Sequence, residues 1–352
     1  MGGFRGSRCL PMASTIRRNI CWTCPKPQQK NSDSQGLAVR GSTLLSFTRV
    51  NTFSITLYDT TASPEAVGPF FQTLWTLGSR LQKLSVDVTP AQMPLILNHA
   101  AAAELPLLTN LEIRVSLSLL PVSSCTSRTV IQQTLLPFTQ ALRPTLTSLT
   151  IMTSQQISLA RFFAGIGYLP HLRALNISIF MDEYDFYERP SLNAFLNAHG
   201  SCIQDLTIAS VPAPSVYLTA RNTYSGWLQR DFATLRLPAV RSLSVGLCTE
   251  TSGLEEDLDW YMACAVNLGR LEKLESLIIP DAVFEYNLEK ILSSLPLNGK
   301  GMRRLSLKVR SITLELLDIL AARVPDLEEL SLVSLWGMLN VSGCPLANQI
   351  VD

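Results

Sequence analysis

An apolar residue followed by two more, three and five positions later, recurs ten times along the chain. The triplets are Val50-Phe53-Ile55, Leu81-Leu84-Val86, Leu108-Leu111-Ile113, Leu146-Leu149-Ile151, Leu172-Leu175-Ile177, Ile203-Leu206-Ile208, Val240-Leu243-Val245, Leu274-Leu277-Ile279, Met302-Leu305-Leu307 and Leu327-Leu330-Leu332. Their starts lie 31, 27, 38, 26, 31, 37, 34, 28 and 25 residues apart. A recurrence near this length is the mark of a repeat architecture. The second and third residues of each triplet stand two apart, so on a strand they face the same side. The first turns inward where the chain leads into the strand. Intervening positions are mostly polar, as in Arg173 and Asn176. The pattern predicts short strands with one buried and one solvated face.

Several segments between the strands have helical spacing. Residues 64–78 carry Ala66, Val67, Phe70, Phe71, Leu74 and Leu77, and residues 191–199 carry Leu192, Phe195 and Leu196. Residues 254–268 open on Glu255, Glu256 and Asp257, which suit a helix N-terminus and read as its exposed start. Residues 311–324 carry Ile312, Leu316, Leu317, Ile319 and Leu320. Pro106, Pro144, Pro170, Pro238 and Pro325 stand two residues before a triplet, where proline stops a preceding helix. Like strands joined by helices give a parallel sheet with right-handed crossovers. The expected fold is α/β: a solenoid of about ten strand–helix units with the parallel sheet on its concave side.

Leu169-Pro170-His171-Leu172-Arg173-Ala174-Leu175-Asn176-Ile177 shows the recurrent phrase in full. In this phrase the chain resembles irregular leucine-rich repeats, most closely those of fungal F-box/leucine-rich-repeat proteins, over about residues 47–335. The resemblance implies a protein-binding solenoid and, by way of an F-box, a substrate receptor of a cullin-type ubiquitin ligase. Two departures limit it. The segments after the strands, such as Asp87-Val88-Thr89 and Pro280-Asp281-Ala282, allow no asparagine ladder. Residues 1–46 contain no Leu-Pro-x-Glu-like opening of an F-box, so the ligase role carries over to no residue of this chain.

The triplets run without a linker, which leaves three regions. Residues 1–46 hold seven Arg and Lys residues against one acid, Asp33, and are expected to be disordered; a mitochondrial transit peptide is the weaker reading. Residues 47–335 form the solenoid, and residues 336–352 a tail or an incomplete cap. A net charge of +1 gives no global field for nucleic acid. Apolar residues make up 47% and charged residues 16%, which fits a large shared core under a Ser/Thr-rich surface. No uncharged run is long enough for a transmembrane helix. Eight scattered cysteines in a chain of this size suggest reduced thiols and an intracellular site, cytoplasmic or nuclear. The Asn176-Ile177-Ser178 glycosylation pattern lies inside a strand and carries no weight.

The chemistry-bearing residues do not assemble into a site. Cys21-Trp22-Thr23-Cys24 is one close pair, half of a zinc site at most, with Cys9 as the sole nearby ligand. His99, His171 and His199 are not paired at ligand spacing and are expected at surfaces or helix caps. No Gly-x-Ser-x-Gly elbow marks a nucleophile, and Gly165-Ile166-Gly167 is too short for a phosphate loop. No catalytic residue, cofactor or metal is expected, and an enzyme on a repeat scaffold is the remotest alternative.

What remains is a surface. The position between the last two residues of each triplet is Ser54, Ser85, Glu112, Thr150, Asn176, Thr207, Ser244, Ile278, Ser306 and Ser331. Small side chains there either suit a curved sheet or form a partner surface. Candidate partner-binding residues are Lys83, Glu112, Arg114, Arg304 and Lys308 on the strand face, with Tyr184, Phe186 and Tyr187 in the acidic stretch after the fifth triplet. The aromatic stretch equally suits a solvated loop folded back on the core. The expected partner is a protein of unknown identity, with no nucleic acid and no membrane. The expected function is a non-catalytic protein–protein interaction scaffold, with the ligase receptor as the alternative.

Overall fold

The computed structural model describes residues 20–23, 51–56, 75, 78–97, 102–115, 129–153, 157–179, 188–210, 232–247, 268–283, 285–309 and 311–334. One sheet of eleven strands runs in strict sequence order. The strands are β1 (Ile20–Thr23), β2 (Thr52–Thr56), β3 (Lys83–Val88), β4 (Asn110–Val115), β5 (Ser148–Thr153), β6 (Ala174–Ile179), β7 (Asp205–Ser210), β8 (Ser242–Leu247), β9 (Ser276–Val283), β10 (Arg304–Val309) and β11 (Glu329–Ser334). Every neighbouring pair is parallel. Each unit therefore lies beside the next, in a solenoid-like arrangement.

The register follows the triplets. Phe53, Leu84, Leu111, Leu149, Leu175, Leu206, Leu243, Leu277, Leu305 and Leu330 stand in one row across the sheet. All but Leu330 are buried. The lead-in residues from Leu81 to Met302 are buried too, Leu327 is partly so, and Val50 lies outside the described residues.

A turn precedes most strands. The Leu108, Leu172, Val240 and Leu327 N–H groups donate to the carbonyls of Leu105, Leu169, Leu237 and Val324 at 3.1–3.3 Å. Pro106, Pro170, Pro238 and Pro325 are second in these turns, where a fixed φ is favourable. The proline thus shapes the turn as well as ending what precedes it. Just before each strand one carbonyl accepts two N–H groups from the next unit. The Asn51 oxygen takes those of Gln82 and Lys83 at 2.8 and 3.0 Å, and the same bond recurs down to Arg303 with Glu328 and Glu329 at 2.8 and 2.9 Å. This chain of bonds is indifferent to side chain, which explains why Gln, Thr, Arg and Glu all occupy the position.

The connections carry α1 (Met93–Ile96), α2 (Leu136–Ala141), α3 (Ala160–Gly165), α4 (Glu188–His199), α5 (Glu285–Ser293) and α6 (Leu314–Arg323). The expected helices over residues 191–199 and 311–324 are α4 and α6. Thr313 caps α6, its Oγ1 accepting from the Leu316 N–H at 3.1 Å. Those over residues 64–78 and 254–268 lie outside the described residues, apart from Trp75, Gly78 and Leu268. A π-turn, Ile131–Leu135, leads into α2. Gly200 leaves room for a neighbour: a Cβ there would sit 1.9 Å from the Arg236 carbonyl oxygen.

Three features depart from a uniform repeat. First, β1 falls inside residues 1–46, where composition predicts disorder, and pairs Ile20 with Phe53 and Trp22 with Ile55. The rest of that region, and the expected tail over 336–352, lie outside the described residues. Second, β9 is bulged. Leu307 pairs with Ile279 but Lys308 with Ala282, so Pro280 and Asp281 are extra. Proline lacks the donor that a central strand needs, and pairing with β8 ends at Ile278. Third, the last layer is open. Leu330 is 40% exposed, because no described strand packs beyond β11.

Two buried side chains of the described core carry orphaned polar atoms, the Thr153 hydroxyl and the whole Asn287 amide. Asn287 of α5 is 1% exposed, and neither its side-chain oxygen nor its nitrogen has a hydrogen-bond partner. It shares the buried face with Leu288, Ile291 and Leu292. An orphaned buried polar group costs about 1–3 kcal/mol. Asn287→Leu is therefore expected to raise the melting temperature, by about 1 kcal/mol of stability or more. A lower melting temperature in calorimetry would show that the amide is needed in the core.

Candidate interaction face

The inner face of the sheet is closed by core, so the outer face is the accessible one. Its middle row runs in register from Ser54 through Ser85, Glu112, Thr150, Asn176, Thr207, Ser244, Ile278 and Ser306 to Ser331. No residue of this row is buried. Toward the strand C-termini, Ser178 and Ala209 point outward yet are 7% and 6% exposed, so the face narrows there.

Lys83, Glu112 and Arg114 come together at one end. The Glu112 Oε2 lies 3.7 Å from Lys83 Nζ, and its Oε1 lies 2.8 Å from Arg114 Nη2 and 2.9 Å from Nε. Arg114 also stands opposite Asp87 in register. Glu112 is the least exposed of the three. The cluster is therefore internally balanced. Exposed pairs of this kind add about 0–1 kcal/mol each, so stability does not explain it.

Arg304 and Lys308 sit outward on β10, seven strands away from β3, or roughly 30 Å at ordinary strand spacing. The two halves of the expected surface are thus separate patches. Tyr184, Phe186 and Tyr187 lie outside the described residues. Exposed apolar residues add to the second patch: Ile278 at 38% and Val333 at 54%. Ile278 is the one apolar residue of the middle row and so was visible in the sequence. Val333 was not, because nothing in its own strand distinguishes it.

The remaining candidates resolve into structure. Gly167, at φ 70°, follows the C-cap of α3 and ends that helix, which accounts for Gly165-Ile166-Gly167. Cys21 lies in β1, and Cys24 lies outside the described residues. Among the described residues no group of three or more His, Cys, Asp or Glu could hold a metal ion, and no helix is long and apolar enough to cross a membrane.

His199 stands at a helix end, as expected, but not at the surface: it ends α4 and is 1% exposed. Its Nε2 accepts the Leu169 N–H at 2.8 Å, so the proton is on Nδ1, which donates to the Phe195 carbonyl at 2.7 Å. The ring stacks on Tyr168 and lies against Phe195, with centroids 5.1 and 4.1 Å away. Burial lowers its pKa, partly offset by the Phe195 bond. Burial likewise pushes the Cys202 thiol up, against opposing hydrogen bonds. A neutral imidazole with both nitrogens engaged holds two units together and has no free nitrogen for catalysis. His171 is exposed, and His99 lies outside the described residues.

No family model matches the chain, and no curated protein matches it.

Proposed function

We propose that this chain is a leucine-rich-repeat-like solenoid that binds a protein partner on the outer face of its sheet and performs no chemistry. The observation that carries this reading is the middle row. Across ten strands it keeps solvent contact, although in all but the last of them the residues on either side of it in sequence are core. Repeat proteins use such an extended face as their partner surface. Charged groups at both ends of the row would fix the orientation of a partner.

The test is affinity capture on the immobilised chain, with identification by mass spectrometry. A partner should be retained, and its retention should fall when Lys83, Glu112, Arg114 and Arg304 are all replaced by alanine. Equal retention by the quadruple variant would remove the strand face from the proposal. Direct, robust capture of a cullin-ligase adaptor by the purified chain would favour the ligase-receptor reading in its place.

A further inference from the structure

We propose that the outer face of β9–β11 binds an extended acidic segment in which an apolar residue lies midway between two carboxylates four residues apart. This rests on the scaffold reading and names the partner's chemistry. Arg304, Ser306 and Lys308 alternate outward along β10, while Leu305, Leu307 and Val309 between and after them are buried. Among the described residues, neither the Arg304 guanidinium nor the Lys308 ammonium has an ion-pair or hydrogen-bond partner. Lys83 and Arg114, by contrast, share the Glu112 carboxylate. The unspent positive charge of the sheet face is therefore at its β10 end.

The apolar part lies between the two cations. Ile278 is across from Ser306 on β9, Ser331 is across from it on β11, and Val333 is across from Lys308. The two serines leave a shallow floor between two exposed apolar side chains. Strands rise about 3.3 Å per residue, so Arg304 and Lys308 are about 13 Å apart along β10. An extended peptide has the same rise, so acids at its positions one and five meet both cations. Its third side chain then comes down over Ser306, beside Ile278. Glu329 stands opposite Arg304 in register, makes no ion pair with it, and competes with an incoming carboxylate.

The probe is a fluorescein-labelled peptide with the core Glu-Ser-Leu-Ser-Glu between Gly-Ser flanks, measured by anisotropy against the full chain. Saturable binding is expected, weakening as salt rises from about 50 to about 500 mM. Arg304→Glu with Lys308→Glu should weaken it about tenfold or more, and should transfer preference to a Lys-Ser-Leu-Ser-Lys peptide. Ile278→Ser should weaken it severalfold, and Glu329→Ala should strengthen it. Arg161→Glu on α3, a single charge reversal on the helical side, should leave it unchanged. Absence of saturable binding, equal binding of a Glu-Ser-Ser-Ser-Glu peptide, or indifference to the β10 reversal would overturn the proposal. If those results came with partner loss in the quadruple strand-face variant, only this inference would fall. If the partner were also retained, the strand face would fall with it as the partner surface.

Discussion

Leu175→Asp is expected to abolish cooperative folding of the units around β6, while Asn176→Ala, one residue on, melts like the parent chain. Leu175 is 1% exposed and stands in register between Leu149 and Leu206. Among the described residues no Lys or Arg lies within the core to pair a carboxylate there. Burying it ionised is prohibitive, and burying it protonated still costs on the order of several kcal/mol. Each unit of a solenoid is held by its neighbours, so the damage spreads to β5 and β7. Asn176 keeps solvent contact on the opposite face. Its truncation should stay within about 0.5 kcal/mol. A third variant separates burial from strand position. Leu330 occupies the same register but is 40% exposed, so Leu330→Asp should cost far less than Leu175→Asp. Urea and thermal melts of the three variants decide the matter. Equal stability of the first two would mean that the strand faces are assigned the wrong way round.

The strands were legible because their signal is local. Two inward residues two apart, with a lead-in three before, survive wide variation in the connections. β1 escaped because Arg17 stands where its lead-in residue would be apolar, leaving only Ile20 and Trp22 to mark it. The β9 bulge escaped because Pro280 and Asp281 follow the triplet, beyond the reach of the pattern. Of the site, the sequence offered the row and its odd member Ile278, but not which charges neutralise one another. Glu112 meets Lys83 across a 29-residue gap, and only the register of β3 against β4 brings them together. His199 shows the same limit. Its position at the end of a helix suggested a surface or a cap role, and the surface half fails because its ring is buried and accepts from Leu169, 30 residues earlier.

That contact leads to the second large effect. His199→Ala is expected to destabilise the chain by about 3 kcal/mol or more, because it opens a cavity beside Tyr168 and Phe195 and orphans the Leu169 N–H. The pH dependence should change with it. Protonated His199 could no longer accept from Leu169 and would place a charge in a buried site. Its folded pKa is accordingly below the ordinary value of 6.5. As pH falls, the unfolded chain takes up this proton first, so the folded state binds fewer protons than the unfolded one. The stability that His199 supplies is complete above about pH 6.5 and is lost as pH falls from there through the folded pKa. The Cys202 thiol beside His199 is pushed up by burial and stays neutral throughout that window. The difference in unfolding free energy between the parent chain and His199→Ala should therefore be largest near pH 7.5 and shrink toward pH 5. Urea melts at several pH values measure it directly. A difference that stays constant with pH would mean that His199 takes up its proton equally in the folded and the unfolded chain, which contradicts the bond it accepts from Leu169.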